Sequence, residues 1–270
     1  MMINRDIYQR FILEKLSIRG AYIEISNVYE KLLSIKNYNK SQQDILTQAF
    51  INSIFLCQNK LIHGRALLQY KNTHTDDLII AQATSTGYVR AMLKSNNEVI
   101  NLSSGQLSVF YQPDDVAQHQ QSLIELRDND LFKSIQDYFS LSEQTDTSLW
   151  YFKNSSKIIG IYLQKIPFFE EDYQVARALL NGLNREDVLV ENCHTTLIDC
   201  FDKYHLSFHD TVELNYGCEN STNRFKNALA TLDKEDLSHF VKNHETVDIT
   251  CDFCEKTCSF SQEEVLEILK

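Results

Sequence analysis

The sequence predicts an α+β fold: an N-terminal domain of antiparallel sheet and helices, a helical linker, and a small C-terminal domain rich in cysteine. Three observations predict it. Strand-like and helix-like stretches occur in clusters rather than in strict alternation, and no GxGxxG or P-loop motif contradicts that pattern. Beyond Pro167 the apolar spacing turns helical. Near the end of the chain, Cys218 is followed after a long gap by the tight pair Cys251 and Cys254. The expected boundaries are residues 1–168, 169–215 and 216–270.

Taken in order, the stretch Arg10 to Ser26 alternates apolar residues after Gly20, at Ala21, Ile23 and Ile25, which suits a half-buried strand. Ser41 stands three residues before Asp44 like a capping box, and Leu46, Phe50 and Ile54 recur every four residues. A helix over about Gln42 to Cys57 follows. Strand-like runs at Ala66 to Tyr70, Leu78 to Ala83 and Leu107 to Tyr111, punctuated by Gly64, Gly87 and Gly105, predict an antiparallel sheet with turns. Between Gln121 and Phe139, the residues Leu123, Leu126, Leu131, Ile135 and Tyr138 fit helical spacing. Ile158 to Ile166 is apolar enough for a buried strand, closed by Pro167.

From Phe168 to about Asn215 the signals are helical, with Val175, Ala178, Leu179 and Leu183 on one pattern. These apolar residues are too numerous for a solvated spacer and must pack on the first domain. A segment that packs yet belongs to neither core is a candidate switch element. The remainder reads as helices at Asn223 to Leu232 and Lys234 to Asn243, then a strand at Val247 to Thr250 and the CxxC turn. A closing helix is announced by Ser261 and Glu264, a capping-box pair ahead of Val265, Leu266 and Ile268.

Composition narrows the function. The 270 residues are 43% hydrophobic and 11% aromatic, a globular profile. A formal net charge of -11 argues against a nucleic-acid binder, which needs clustered Lys and Arg to neutralise phosphates. The opening MMINRDIYQRF lacks the apolar core of a signal peptide, and no apolar run reaches the length of a membrane span, so a cytoplasmic location without membrane association is expected. In that compartment seven cysteines are thiols or metal ligands rather than a disulfide framework.

A CxxC turn offers two thiolates to one tetrahedral ion with little strain, and a third cysteine upstream completes most of a structural zinc site. Cys218, Cys251 and Cys254 are therefore the candidate ligands, with the segment Glu219, Asn220, Ser221 as the place to seek a fourth. So short a unit buries little apolar surface and needs a metal to hold it folded. The other cysteines read as packing: Cys57 continues the helical spacing of Leu46, Phe50 and Ser53, and Cys193 and Cys200 lie seven apart. His205 and His209, one helical turn apart if that stretch is a helix, read as packing or surface histidines. The acidic runs Glu170 to Asp172 and Asp233, Glu235, Asp236 read as helix N-terminal charges or solvated faces. No Ser, His, Asp arrangement is legible.

Several segments carry a resemblance: RFILEKLSIRGAYIEIS, TGYVR (Thr86 to Arg90), SGQLSVFYQP (Ser104 to Pro113), DYFSLSEQTDT (Asp137 to Thr147), YLQKIP (Tyr162 to Pro167) and the CDFC knuckle. In this order they resemble the heat shock protein 33 family, the 33 kDa chaperonins, from about Asp6 to the C-terminus. The resemblance implies an α+β substrate-binding domain, a metastable helical linker and a C-terminal zinc domain with four cysteines arranged as CxC and CxxC. It implies an ATP-independent holdase, a binding activity rather than an enzyme, whose cysteines hold zinc when reduced. Oxidation with unfolding stress forms disulfides, releases zinc and unfolds the linker. Unfolding client proteins are the implied partners, commonly captured by a homodimer.

Against that pattern Asn220 stands where the second cysteine of the CxC belongs. Cys258 falls where the family usually carries tyrosine, and could supply a fourth sulfur; the alternative is that it packs as the tyrosine does, with water, His244 or another side chain completing the site. Candidate redox disulfides accordingly involve Cys251 with Cys254, or Cys218 with Cys258. Two competing functions remain on sequence grounds: a CxxC thiol-disulfide oxidoreductase and a non-catalytic zinc-ribbon interaction module. The oxidoreductase motif normally opens a helix in a βαβ unit, whereas this one follows the strand Val247 to Thr250.

Overall fold

The computed structural model describes residues 6–115, 119–166, 170–190, 192–218, 221–233 and 246–268. The chain divides into two compact units, Met1–Tyr216 and Gly217–Lys270. The first unit holds two sheets. One contains β1 (Ile7–Leu13), β2 (Ile18–Ile25), β8 (Thr147–Lys153), β9 (Ile158–Lys165) and β10 (Leu206–Glu213), in the order β10-β1-β2-β9-β8 and antiparallel throughout. The other contains β3 (Gly64–Asn72), β4 (Leu78–Thr84), β5 (Tyr88–Lys94), β6 (Gly105–Pro113), β7 (Gln120–Ile124) and the short β11 (Asn215–Tyr216), ordered β11-β5-β4-β3-β6-β7. This is the α+β class expected from clustered strands and helices.

Between α1 (Asn27–Ile35) and β3 runs α2 (Lys40–Lys60), buried almost continuously from Ile45 to Gln58. A helix apolar on every side belongs inside a core. Ile51 and Phe55 of α2 press against Gly160 of β9, where a Cβ would come within 3.0 Å of Ile51 and 3.2 Å of Phe55, so a larger residue would have to push these side chains back. The N-terminal cap is a capping box of Asn39 and Gln42, two residues earlier than the Ser41 and Asp44 pair expected from sequence. Asn39 accepts from the backbone and Gln42 answers it, and this reciprocal pair outcompetes the isolated serine.

β9 is buried on both faces because its neighbours cover both. Ile158 and Tyr162 join the core with α2, while Ile159, Ile161 and Leu163 join a second core. That second core is roofed by α4 (Glu170–Asn181), α5 (Arg185–Val190) and α6 (Cys193–Phe201), through Tyr173, Ala176, Leu180, Val188, Leu197 and Phe201. The expected packing of the connector on the first domain is thus observed, and its acidic run opens α4.

Two expectations fail. The connector is not helical throughout: Leu206–Glu213 is β10, paired antiparallel with β1 across a bulge between Gln9 and Phe11. His205 sits in the left-handed region at φ 53° and ends a 3-10 turn, so His205 and His209 do not share a helical face. The segment from Gln121 is also not helical. It forms β7 against β6, and the helix α3 (Leu131–Ser142) starts only at the Asp130 cap, whose carboxylate accepts from Phe132 and Lys133 backbone N–H groups. Leucines at 123 and 126 mimic helical spacing but serve a strand and its exit.

The second unit contains α7 (Ser221–Ala230), a hairpin of β12 (Thr246–Thr250) and β13 (Thr257–Ser261), and a closing helix Gln262–Ile268. Ser261 and Glu264 form the predicted capping box, Glu264 N–H donating to Ser261 Oγ at 3.3 Å and Ser261 N–H to Glu264 Oε2 at 2.9 Å. Its core among the described residues is small: Leu229, Val247, Phe260 and Val265. The expected helix Lys234 to Asn243, and with it His244, lies outside the described residues.

Candidate metal centre

The turn between β12 and β13 is built by backbone bonds. Cys251 N–H donates to Lys256 O at 3.0 Å and Glu255 N–H returns to Cys251 O at 2.8 Å, with Glu255 in the left-handed region at φ 53°. This closure brings Cys251 and Cys254 to one side. Cys218, thirty-three residues before Cys251, reaches the same point, its Sγ 3.4 Å from that of Cys251 and 3.7 Å from that of Cys254. The three sulfurs all lie within 4.8 Å of one another.

Those spacings fit zinc. Four thiolates about 2.3 Å from a tetrahedral ion lie ~3.8 Å from each other, so sulfurs this close need no rearrangement to share one ion. The donor set is soft and chemically suited to it. Cys258 is placed differently. It lies on β13 opposite Ile249, packs against the small core, and has its Sγ 4.0 Å from Thr222 Oγ1, and the group of three sulfurs does not include it. Glu219 and Asn220 lie outside the described residues.

Without metal the thiols are electrostatically uneven. Burial raises the Cys251 thiol most strongly of any single cause, but the backbone N–H groups of Phe253 and Cys254 and the thiols of Cys218 and Cys254 all bond to its sulfur, and together they bring it below the ordinary value. Cys254 is pushed up to about 11, by burial first. The three cysteines of the first unit are inert by environment. Burial lifts Cys57 to about 12 and Cys200 to about 11, and raises the fully buried Cys193 well above its ordinary value. Their reading as packing thiols holds.

The functional atoms that residue-type reasoning misses are backbone ones: the N–H groups of Phe253 and Cys254 and the Lys256 carbonyl. The CxxC spacing announces the turn, but the positive φ at Glu255 carries no glycine signal, so the way the backbone closes it is not legible in the side chains.

The Hsp33 protein family model matches residues 6–261. The chain belongs to the Hsp33 family. Among its relatives, the 33 kDa chaperonin of Nitrosococcus oceani is 24% identical, over 97% of this chain and 93% of its own length. The 33 kDa chaperonin of Shewanella sp. is 21% identical over 93% and 91%. The crystal structure of the Thermotoga maritima Hsp33 homologue shares the fold with a TM-score of 0.76 at 20% identity, covering 98% of both chains. As an Hsp33 protein the chain is a chaperone of the heat-shock and stress class, and its cysteine cluster is compatible with zinc binding. Among the described residues, no helix is long and apolar enough to cross a membrane.

Proposed function

We propose that this Hsp33 chain is a redox-regulated, ATP-independent holdase, not an enzyme, that works in the cytoplasm with three functional parts: residues 1–168 as client-binding domain, 169–215 as linker and 216–270 as zinc-binding switch. The carrying observation is the three-sulfur cluster of Cys218, Cys251 and Cys254 in a unit too small to fold on its own apolar burial. Zinc held there by the three thiolates, with Cys258 as candidate fourth sulfur, would supply the folding energy the core lacks.

Peroxide is the oxidant. One thiolate takes an oxygen atom and becomes a sulfenic acid while hydroxide leaves. The neighbouring thiol then displaces water to close the disulfide, so two thiols and one peroxide give one disulfide and two waters. Cys251 with Cys254, or Cys218 with Cys258, are the proposed bridges. Each bridge removes ligands, and the fold of the small unit goes with them. The linker helices α4 to α6 cover Phe11, Ile159, Ile161 and Leu163, and uncovering that sheet face would present apolar surface to unfolding clients, which a homodimer would hold.

The test pairs zinc content with holdase activity. Reduced protein is expected to bind one zinc, to lose it on peroxide treatment, and only then to suppress citrate synthase aggregation. Zinc retention after peroxide, with a fully reduced knuckle by mass spectrometry, would sink the switch. Turnover in insulin reduction would instead favour the oxidoreductase, and binding of a folded partner without either activity the zinc-ribbon module.

A further inference from the structure

Where β1, β2 and β10 meet the C-terminal end of α2, the first unit opens a cleft of about 400 Å³. Its charge runs against that of the chain. The protein carries 37 acidic and 26 basic residues, yet the cleft is lined by Arg10, Arg19 and Lys60 with Asp210 as the one carboxylate of its lining. Asp210 barely offsets them, for its side chain is 86% exposed and lies 3.9 Å from Arg10.

The same lining has more donors than acceptors. Arg10 spends one nitrogen on Gln58 O at the end of α2, and Arg19 spends its Nε on Gln164. Neither bond uses up a guanidinium with five N–H groups. Lys60 also lines the cleft, but its ammonium pairs with Glu143 at 3.3 Å and sits 4.2 Å from the centre of the Tyr111 ring, and neither of these residues is in the lining. Asn59 and Tyr162 line the cleft as well, but Asn59 Nδ2 and the Tyr162 hydroxyl are themselves shut off from the surface, so the donors that reach the cleft are those of the two arginines.

We propose that this cleft binds the phosphate monoester of a small organic molecule. Two planar guanidinia suit a compact dianion better than a single carboxylate. The volume falls within the range of small-molecule sites and exceeds what phosphate needs. Phe11, Leu61 and Ile62 offer an apolar wall for the organic part.

Calorimetry on the full-length reduced protein tests this, with AMP, ribose 5-phosphate and glucose 6-phosphate as monoesters, and inorganic phosphate and succinate as controls. At least one monoester is expected to bind more than about tenfold tighter than inorganic phosphate, to weaken as salt rises, and to lose about tenfold in Arg19→Gln. Arg19 is exposed but donates to the buried Gln164, so that variant is expected to stay folded with a slightly lowered Tm, and its affinity is measured well below that Tm. Lys226→Gln on α7, in the other unit, should leave the affinity unchanged. No monoester binding at millimolar concentration, monoesters no tighter than inorganic phosphate, succinate binding tighter than every monoester, or an Arg19→Gln affinity equal to wild type would each overturn the proposal.

Discussion

At the scale of single residues, environment divides the seven cysteines by chemistry. A thiol reacts as its thiolate, and burial favours the neutral thiol. Cys200, half-buried with its pKa near 11, is deprotonated only at the level of about one part in a thousand at pH 8. Its alkylation by iodoacetamide should therefore rise about tenfold per pH unit from pH 8 and level off near pH 11, as peptide mass spectrometry of the native protein would show. Ligand removal is the complementary case. Cys251→Ser and Cys254→Ser each take one of three clustered sulfurs, and both variants are expected to fall well below one zinc per chain by metal analysis. Cys57→Ser, in the α2 core, should keep its zinc while losing stability, since a hydroxyl enters a fully buried site.

At the scale of elements, the linker helices are held to the sheet by an apolar seam and a few polar contacts: Trp150 Nε1 to Asn181 at 2.9 Å, Ser148 with Tyr173 at 2.8 Å, and Arg185 to the Lys153 carbonyl at 2.8 Å. Leu180 of α4 is buried in that seam. Leu180→Ala should cost about 2–5 kcal/mol there, loosen the cover, and raise the aggregation-suppressing activity of the reduced protein. Trp150 is the chain's single tryptophan, so release of α4 should appear as a red shift and altered intensity of its emission on oxidation. Unchanged emission in an active, oxidised sample would show that α4 stays docked. The strands with clean alternation or continuous apolar runs, such as β3, β4 and β9, were legible because their side-chain period is their own. β10 was not. Leu206, Phe208 and Val212 do alternate with polar residues, but half of the strand is exposed and the helical signals ahead of it mask the change of period, so its strand character shows only in its pairing with β1, a partner nearly two hundred residues away.

At the scale of the whole molecule, the two units differ in how they are stabilised. The first buries two extensive cores on both faces of a sheet, and the second, among its described residues, buries an apolar cluster of four side chains and Cys251. Chelating the zinc of reduced protein should accordingly melt the second unit first, with loss of helical circular dichroism and fast amide exchange in Val247 to Phe260, while amides of α2 stay protected. Simultaneous loss of protection in α2 would contradict independent stabilisation.

The α+β class, the helix α2, the closing capping box and the choice of Cys218, Cys251 and Cys254 as candidate ligands could all be read from local spacing and residue chemistry, for which no distant partner is needed. That Cys218 meets the CxxC turn within sulfur-to-sulfur distance, that Cys258 lies outside that group of three, and that β10 completes a sheet are properties of the folded chain. It alone assembled Arg10, Arg19 and Lys60 around one cleft. Those outcomes depend on approach between residues far apart in the chain, and the spacing of side chains along a strand or helix carries no record of which distant neighbour it will meet.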